Sequence, residues 1–178
     1  MSSFINICFI TSVNITWKRK FSNETNNSLV SLTDFYATFA QMVNHKLKDE
    51  EAVDSYSIWP ILSKQGTSNR KDLVYESGKG YLSLRTPQLK LVFNGGSGGW
   101  GYPNKPADLA QLPPMQLFNL KKDPSEKENI IHDKCYEQEV KEMTRLIRKY
   151  VREGRSTPGA AVANDTENAW KQINIFMQ

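Results

Sequence analysis

The side chains best suited to nucleophilic or metal chemistry here are two cysteines and two histidines, and they are scattered along the chain. Cys8 and Cys135 are too few for a disulfide framework or a structural zinc site, and they read as unrelated free thiols. His45 and His132 are equally isolated, so the sequence supports neither a histidine-based metal site nor a catalytic triad. Each histidine reads as a surface or helix-end residue. The stretch MQLFNLKKDPSEKENI, Met115 to Ile130, looks like a signature but contains no nucleophile, no histidine and no cluster of metal ligands. It reads as a strand running into a turn preset by Pro124 after Asp123, with Glu126 and Asn129 organising the approach to a helix.

Charge narrows the partners. The net charge of +4 is spread over WKRK (Trp17 to Lys20), Arg70-Lys71 and a helix ending at Arg152. Nucleic-acid binding would require a basic face interleaved with aromatics, or a recognised reading motif, and neither is present. The surplus of cations would suit an anionic small substrate. No apolar run approaches the roughly 20 residues that span a bilayer, so no membrane partner is expected. The opening FINICFI is short, has no basic residue before it and lacks a clear cleavage site, which argues against a signal peptide. The N-x-S/T triplets at Asn14, Asn23, Asn26 and Asn164 carry meaning only in a secretory pathway.

The elements that must position any site fall into two grammars. At 39% hydrophobic and 24% charged residues, the 178-residue chain is globular in composition and long enough to bury a core. Ser31 to Asp34 offer capping side chains ahead of FYATFAQMV, in which Phe35, Phe39, Met42 and Val43 form one apolar stripe. SYSIWPILSK predicts a second short helix, with Ile58, Ile61 and Leu62 on one face and Pro60 in its first turn. The run DEE, Asp49 to Glu51, reads as the solvated end of a helix.

Beyond residue 66 the runs DLVYES, GYLSLRT, LKLVFN and MQLFNL predict strands of an antiparallel meander. A long Gly/Pro loop carrying Trp100 and Tyr102 separates the last two; loops of such length are flexible or functional. A long helix is expected from about His132 to Glu153, burying Val140, Met143, Ile147 and Tyr150 and stopping at Gly154. Its glutamates precede its arginines, which complements the helix dipole and makes the basic run a solvated face. Trp170 is a candidate to dock back from the tail. The expected fold is α+β: about four antiparallel strands packed on one long helix.

These residues carry a family likeness. Leu117-Phe118-Asn119-Leu120, two lysines, Asp123-Pro124, Glu126 and Asn129-Ile130 resemble the sulfatase tail pattern L-Y-D-L-x-x-D-P-x-E-x-x-N-L. SLVSLTDFYATFAQMV resembles the sulfatase helix L-x-x-x-x-D-L-x-P-T-L-L, VDSYSIWPILSK resembles D-G-x-S-L-L-P-L-L, and YLSLRTPQLKLVF resembles the strand pair ending G-K-W-K-L-V. GSGGW, LPPMQL and GRSTPG resemble a bacterial arylsulfatase subgroup. The likeness runs in family order from Ile15 to Trp170. Departures include Asn119 for Asp, Phe118 for Tyr, Glu76-Ser77 where relatives have His-Ser, and TWKRK for R-W-P-G-K.

The resemblance implies a formylglycine nucleophile made from a C/S-x-P-x-R motif and a calcium ion held by carboxylates and an amide. Cys8 is followed by Phe-Ile-Thr. Ser156-Thr157-Pro158 begins suitably, but Gly159-Ala160 follows and the arginine is missing. Neither a tandem aspartate nor Asp-Asn-Gly occurs. The expectation is therefore a C-terminal sulfatase portion without catalytic or metal residues: residues 1–14 unassigned, 15–66 trailing helices of an incomplete α/β catalytic domain, and 67–178 a small domain. Calcium, formylglycine and the sulfate-ester substrate would belong to the full-length enzyme, whose relatives are commonly exported.

By the same resemblance the small domain helps shape the substrate pocket. Glu76, Ser77 and Lys79 and the GGSGGWGY loop are the candidates, with Trp100 stacking on a ring and Lys79 meeting an anionic substituent. The plain alternative is a solvated turn lysine and a loop-anchoring tryptophan, and single residues of these types more often serve structure. Two rival readings accompany this one: a stand-alone binding module for sulfated glycans, and an inert truncated product.

Overall fold

The structure is a computed structural model that describes residues 14–18, 24–163 and 171–177. FINICFI, Cys8 and Trp170 lie outside the described residues. The chain divides into two compact units. Among the described residues, one is built from residues 74–152 with the tail at 171–177, the other from residues 14–18 and 24–73 with 153–163.

The first unit is an α+β layer. Strands β1 (Leu73–Glu76), β2 (Leu82–Arg85), β3 (Leu89–Val92) and β4 (Gln116–Asn119) lie in the order β1-β2-β3-β4. Leu84 faces Leu91 across the β2–β3 ladder, and Leu91 faces Leu117 across the antiparallel β3–β4 ladder. All three leucines are fully buried. With Phe93, Met143 and Ile147 they form the core between the sheet and a long helix, α4 (Glu137–Glu153). Val140 and Tyr150 complete the expected stripe from partly buried positions. The helix starts later than its periodicity implies, because Asp133 accepts from the amide of Cys135 and a single 3-10 turn, Lys134–Tyr136, comes first.

The signature stretch is structural throughout. Asn129 Oδ1 accepts from the amides of Leu117 and Ile131, tying strand to helix approach. Asp123 Oδ2 caps the turn by accepting from the amides of Lys127 and Glu128. Asn119, where the sulfatase pattern has Asp, is buried and donates to the Tyr136 hydroxyl at 3.1 Å. Glu126 has a positive φ of 52° and turns its carboxylate inward onto the buried Lys90. β3 therefore buries both faces, as a lysine between two core leucines in LKL does not suggest.

The second unit contains α1 (Asp34–Met42) and α2 (Trp59–Leu62). Asp34, completely buried, accepts from the backbone amides of Ser31 and Tyr56 and from the side chain of Arg70. Arg70 also reaches the carbonyls of Asp54 and Asp72, so its charge is satisfied by planar geometry that a lysine lacks. Thr38 Oγ1 then accepts from the amide of Ile58, setting α2 against α1.

These polar ties choose the buried face of α1, which is Asp34, Ala37, Thr38 and Ala40. The apolar stripe consequently does not supply the buried face within this chain. Phe35 and Met42 are half-buried, whereas Phe39 and Val43 are 57% and 73% exposed. Asp49 to Glu51 are likewise not a helix end, since α1 stops at Met42. Asp49 instead accepts from the amide of Ala160 and lies 3.3 Å from Arg155. Arg155, 4% exposed, donates to the carbonyls of Asp49, Thr157, Pro158 and Ala160, which folds GRSTPG around its guanidinium.

Candidate functional site

The sequence-nominated residues Glu76 and Lys79 flank the turn over which the Trp100 ring lies, and all three are exposed. β1 ends at Glu76, and the chain reverses through Ser77 to Gly80. The amide of Ser77 donates to the carbonyl of Tyr81, and the amides of Gly80 and Tyr81 donate to the carbonyl and hydroxyl of Ser77. Gly80 adopts φ +83°, which favours glycine over any other residue. Ser77 is thus a turn staple.

The Gly/Pro loop packs onto this turn. The amide of Lys79 donates to the carbonyl of Gly98 at 3.1 Å, and Lys79 Nζ lies 3.4 Å from the carbonyl of Asn104. Asn104 Nδ2 donates to the Trp100 carbonyl. Ser97 donates from its amide to Pro103 and from its hydroxyl to Gly101. A short helix, α3 (Pro106–Leu109), which the sequence reading missed, is entered through a proline and capped by Asp108. Gln116 donates from Nε2 to the carbonyls of Asn94 and Gly96, anchoring the loop's start to β4. The loop is therefore tied down along most of its length.

Trp100 projects from it, 81% exposed, with Tyr102 close in sequence at 65%. The ring's edge lies over Gly78, where a Cβ would come within 3.0 Å of it. An exposed indole supported by the Gly78 turn can stack on a sugar or aryl ring, and an exposed lysine in the same turn can meet an anionic group. Gln172, which sequence reasoning did not single out, donates to the Lys79 carbonyl from the tail.

The other reactive types do not assemble. Cys135 is exposed, and its thiol is held above its ordinary range by a hydrogen bond to Asp133 and that residue's negative charge. That makes it a poor nucleophile at neutral pH. Ser156 donates to Asp54 at 2.7 Å within the Arg155-centred loop. Among the described residues no three His, Cys, Asp or Glu side chains converge on a possible metal position. No described helix is long and apolar enough to cross a membrane.

No family model and no curated protein matches the chain. Solved structures do. A Bacteroides thetaiotaomicron 6S-sulf protein of glycosaminoglycan metabolism is 24% identical over 65% of this chain and 24% of its own, with a TM-score of 0.50. A protein solved with its substrate D-glucosamine-2-N,6-O-disulfate is 22% identical over 65% of this chain and 22% of its own, at 0.46. A 2-O GAG sulfatase is 20% identical over 66% and 24%, at 0.47. The chain thus spans about a quarter of the length of the structures it matches. Its α+β layer is the fold of that part of a sulfatase structure.

Proposed function

We propose that this chain is the C-terminal portion of a sulfatase, a sulfuric ester hydrolase, inactive by itself and contributing fold completion and the rim of a substrate pocket. One observation carries the reading. The fold is shared over 24% of the Bacteroides chain, while no C/S-x-P-x-R motif occurs in these residues. The motif order from Ile15 to Trp170 supports the same reading. On it, Trp100 stacks on a ring of the substrate, Lys79 meets an anionic substituent, and Glu76 accepts from a hydroxyl. The substrate class is a sulfate ester of a saccharide. Transcript sequencing upstream of Met1 tests the proposal. It expects an in-frame C/S-x-P-x-R motif and paired aspartates, and a frame containing neither would contradict it.

The exposed, supported indole favours a second reading, a binding module for sulfated glycans. Calorimetric titration with a sulfated disaccharide separates the two. Affinity that disappears in Trp100→Ala favours the module, and no heat at millimolar ligand counts against it.

A further inference from the structure

The backbone of Lys79 is held from both sides by segments distant in sequence. Its amide donates to Gly98 of the Gly/Pro loop at 3.1 Å, and its carbonyl accepts from Gln172 Nε2 at 3.0 Å. Gln172 belongs to a short tail, a 3-10 turn Lys171–Ile173 leading into α5 (Asn174–Met177). That tail is fastened to the layer at its far end. Phe176 is 1% exposed, its ring centroid lies 4.4 Å from that of Phe93, and its carbonyl accepts from Arg148. The approach of Gln172 needs Gly80, because a Cβ there would lie 3.1 Å from Nε2 and 3.2 Å from Glu76 Oε1.

We infer that Lys171–Met177 is a docked strap that fixes the Ser77–Gly80 turn, and that Gln172 is a positioning residue for Lys79 and Trp100. The physical argument is one of degrees of freedom. A two-strand turn at the end of a sheet frays readily, since few buried contacts hold it. Here the turn residue carrying the candidate cation is pinned by one bond to the loop bearing the indole and another to the strap. The phenyl ring of Phe176 supplies the apolar anchorage, and the amide of Gln172 supplies the register. The inference rests on the proposed rim for its functional meaning but not for its structural test.

Hydrogen exchange of the full chain, followed on the peptide Ser77–Tyr81, tests it. Gln172→Glu is nearly isosteric and cannot donate at neutral pH, so it should speed exchange there about five- to tenfold. Exchange in β3 should not change, and Gln172→Lys, which restores a donor, should recover part of the protection. Unchanged exchange at Ser77–Tyr81 in Gln172→Glu would overturn the strap. Equal acceleration in β3 would also overturn it, because the glutamine would then stabilise the whole layer. Faster exchange in a chain whose upstream frame encodes neither C/S-x-P-x-R nor paired aspartates would uphold the strap and remove the rim reading.

Discussion

Lys90 Nζ lies 2.5 Å from Glu126 Oε2, and both side chains are buried, at 5% and 1% exposure. The pair joins the central β3 to the DPSEKEN turn that follows β4, and the ammonium also sits 5.4 Å from the centre of the Tyr75 ring. Breaking a buried pair strands a charge, which costs far more than the pair itself contributes. Glu126→Ala should therefore destabilise the chain by about 3 to 5 kcal/mol in urea unfolding. Lys90→Met combined with Glu126→Leu should recover most of that loss. Additive losses in the double variant would show that the residues act independently.

Arg155 supports the other unit. Its guanidinium serves four carbonyls in fixed directions, a fork that an ammonium cannot reproduce. Arg155→Lys should cost about 1 to 3 kcal/mol, since several part-buried carbonyls lose donors at once. Limited proteolysis should then cut between residues 155 and 160 ahead of other sites.

Much of the sheet was legible in the sequence, and the reason is physical. Each strand carries a compact aliphatic run bounded by Gly, Pro or Thr, so local preference and burial agree at Leu84, Leu91 and Leu117. The periodicity of α1 in Phe39 and Val43 is real, whereas the face buried within this chain is selected by Asp34 and Thr38. Their hydrogen bonds go to Tyr56, Ile58 and Arg70, residues far along the chain. Lys90 between two core leucines reads as an outward-facing lysine, so nothing local shows that Glu126 turns inward to meet it. Glu76, Lys79 and Trp100 were nominated through the sulfatase resemblance, and in the structure the first two flank the turn over which the Trp100 ring lies. Gln172 gave no signal, because a glutamine in a short tail is unremarkable until the tail docks.

The exposed apolar residues on and flanking α1 have a consequence for handling. Leu32, Tyr36, Phe39 and Val43 follow spacings of four, three and four and are all more than half exposed. Such a contiguous face promotes association. Sedimentation should show concentration-dependent self-association of the chain, and Phe39→Glu should reduce it without lowering the melting temperature, because Phe39 is exposed. Monodisperse wild-type protein at all concentrations would refute this.

Tyr56 gives a pH dependence. Its hydroxyl donates to the Ser156 carbonyl at 2.9 Å, and burial, followed by the charge of Asp72, raises its pKa above the ordinary 10.0. A raised folded-state value contributes stability that is complete below the unfolded value. That stability is lost as pH rises through the folded one. Melting temperature should therefore fall above about pH 10, with a shallower fall in Tyr56→Phe. At neutral pH that variant should cost about 1 kcal/mol for the lost hydrogen bond. Identical alkaline slopes would exclude Tyr56 as the source.

On the proposed reading these residues carry part of a sulfatase's architecture without its chemistry. The direct measurement is hydrolysis of a chromogenic aryl sulfate by the purified chain with calcium, on a sample shown to melt cooperatively. The account predicts release indistinguishable from the uncatalysed rate, with or without the metal. Calcium-dependent turnover that co-purifies with the chain and disappears on a single substitution within it would contradict the account.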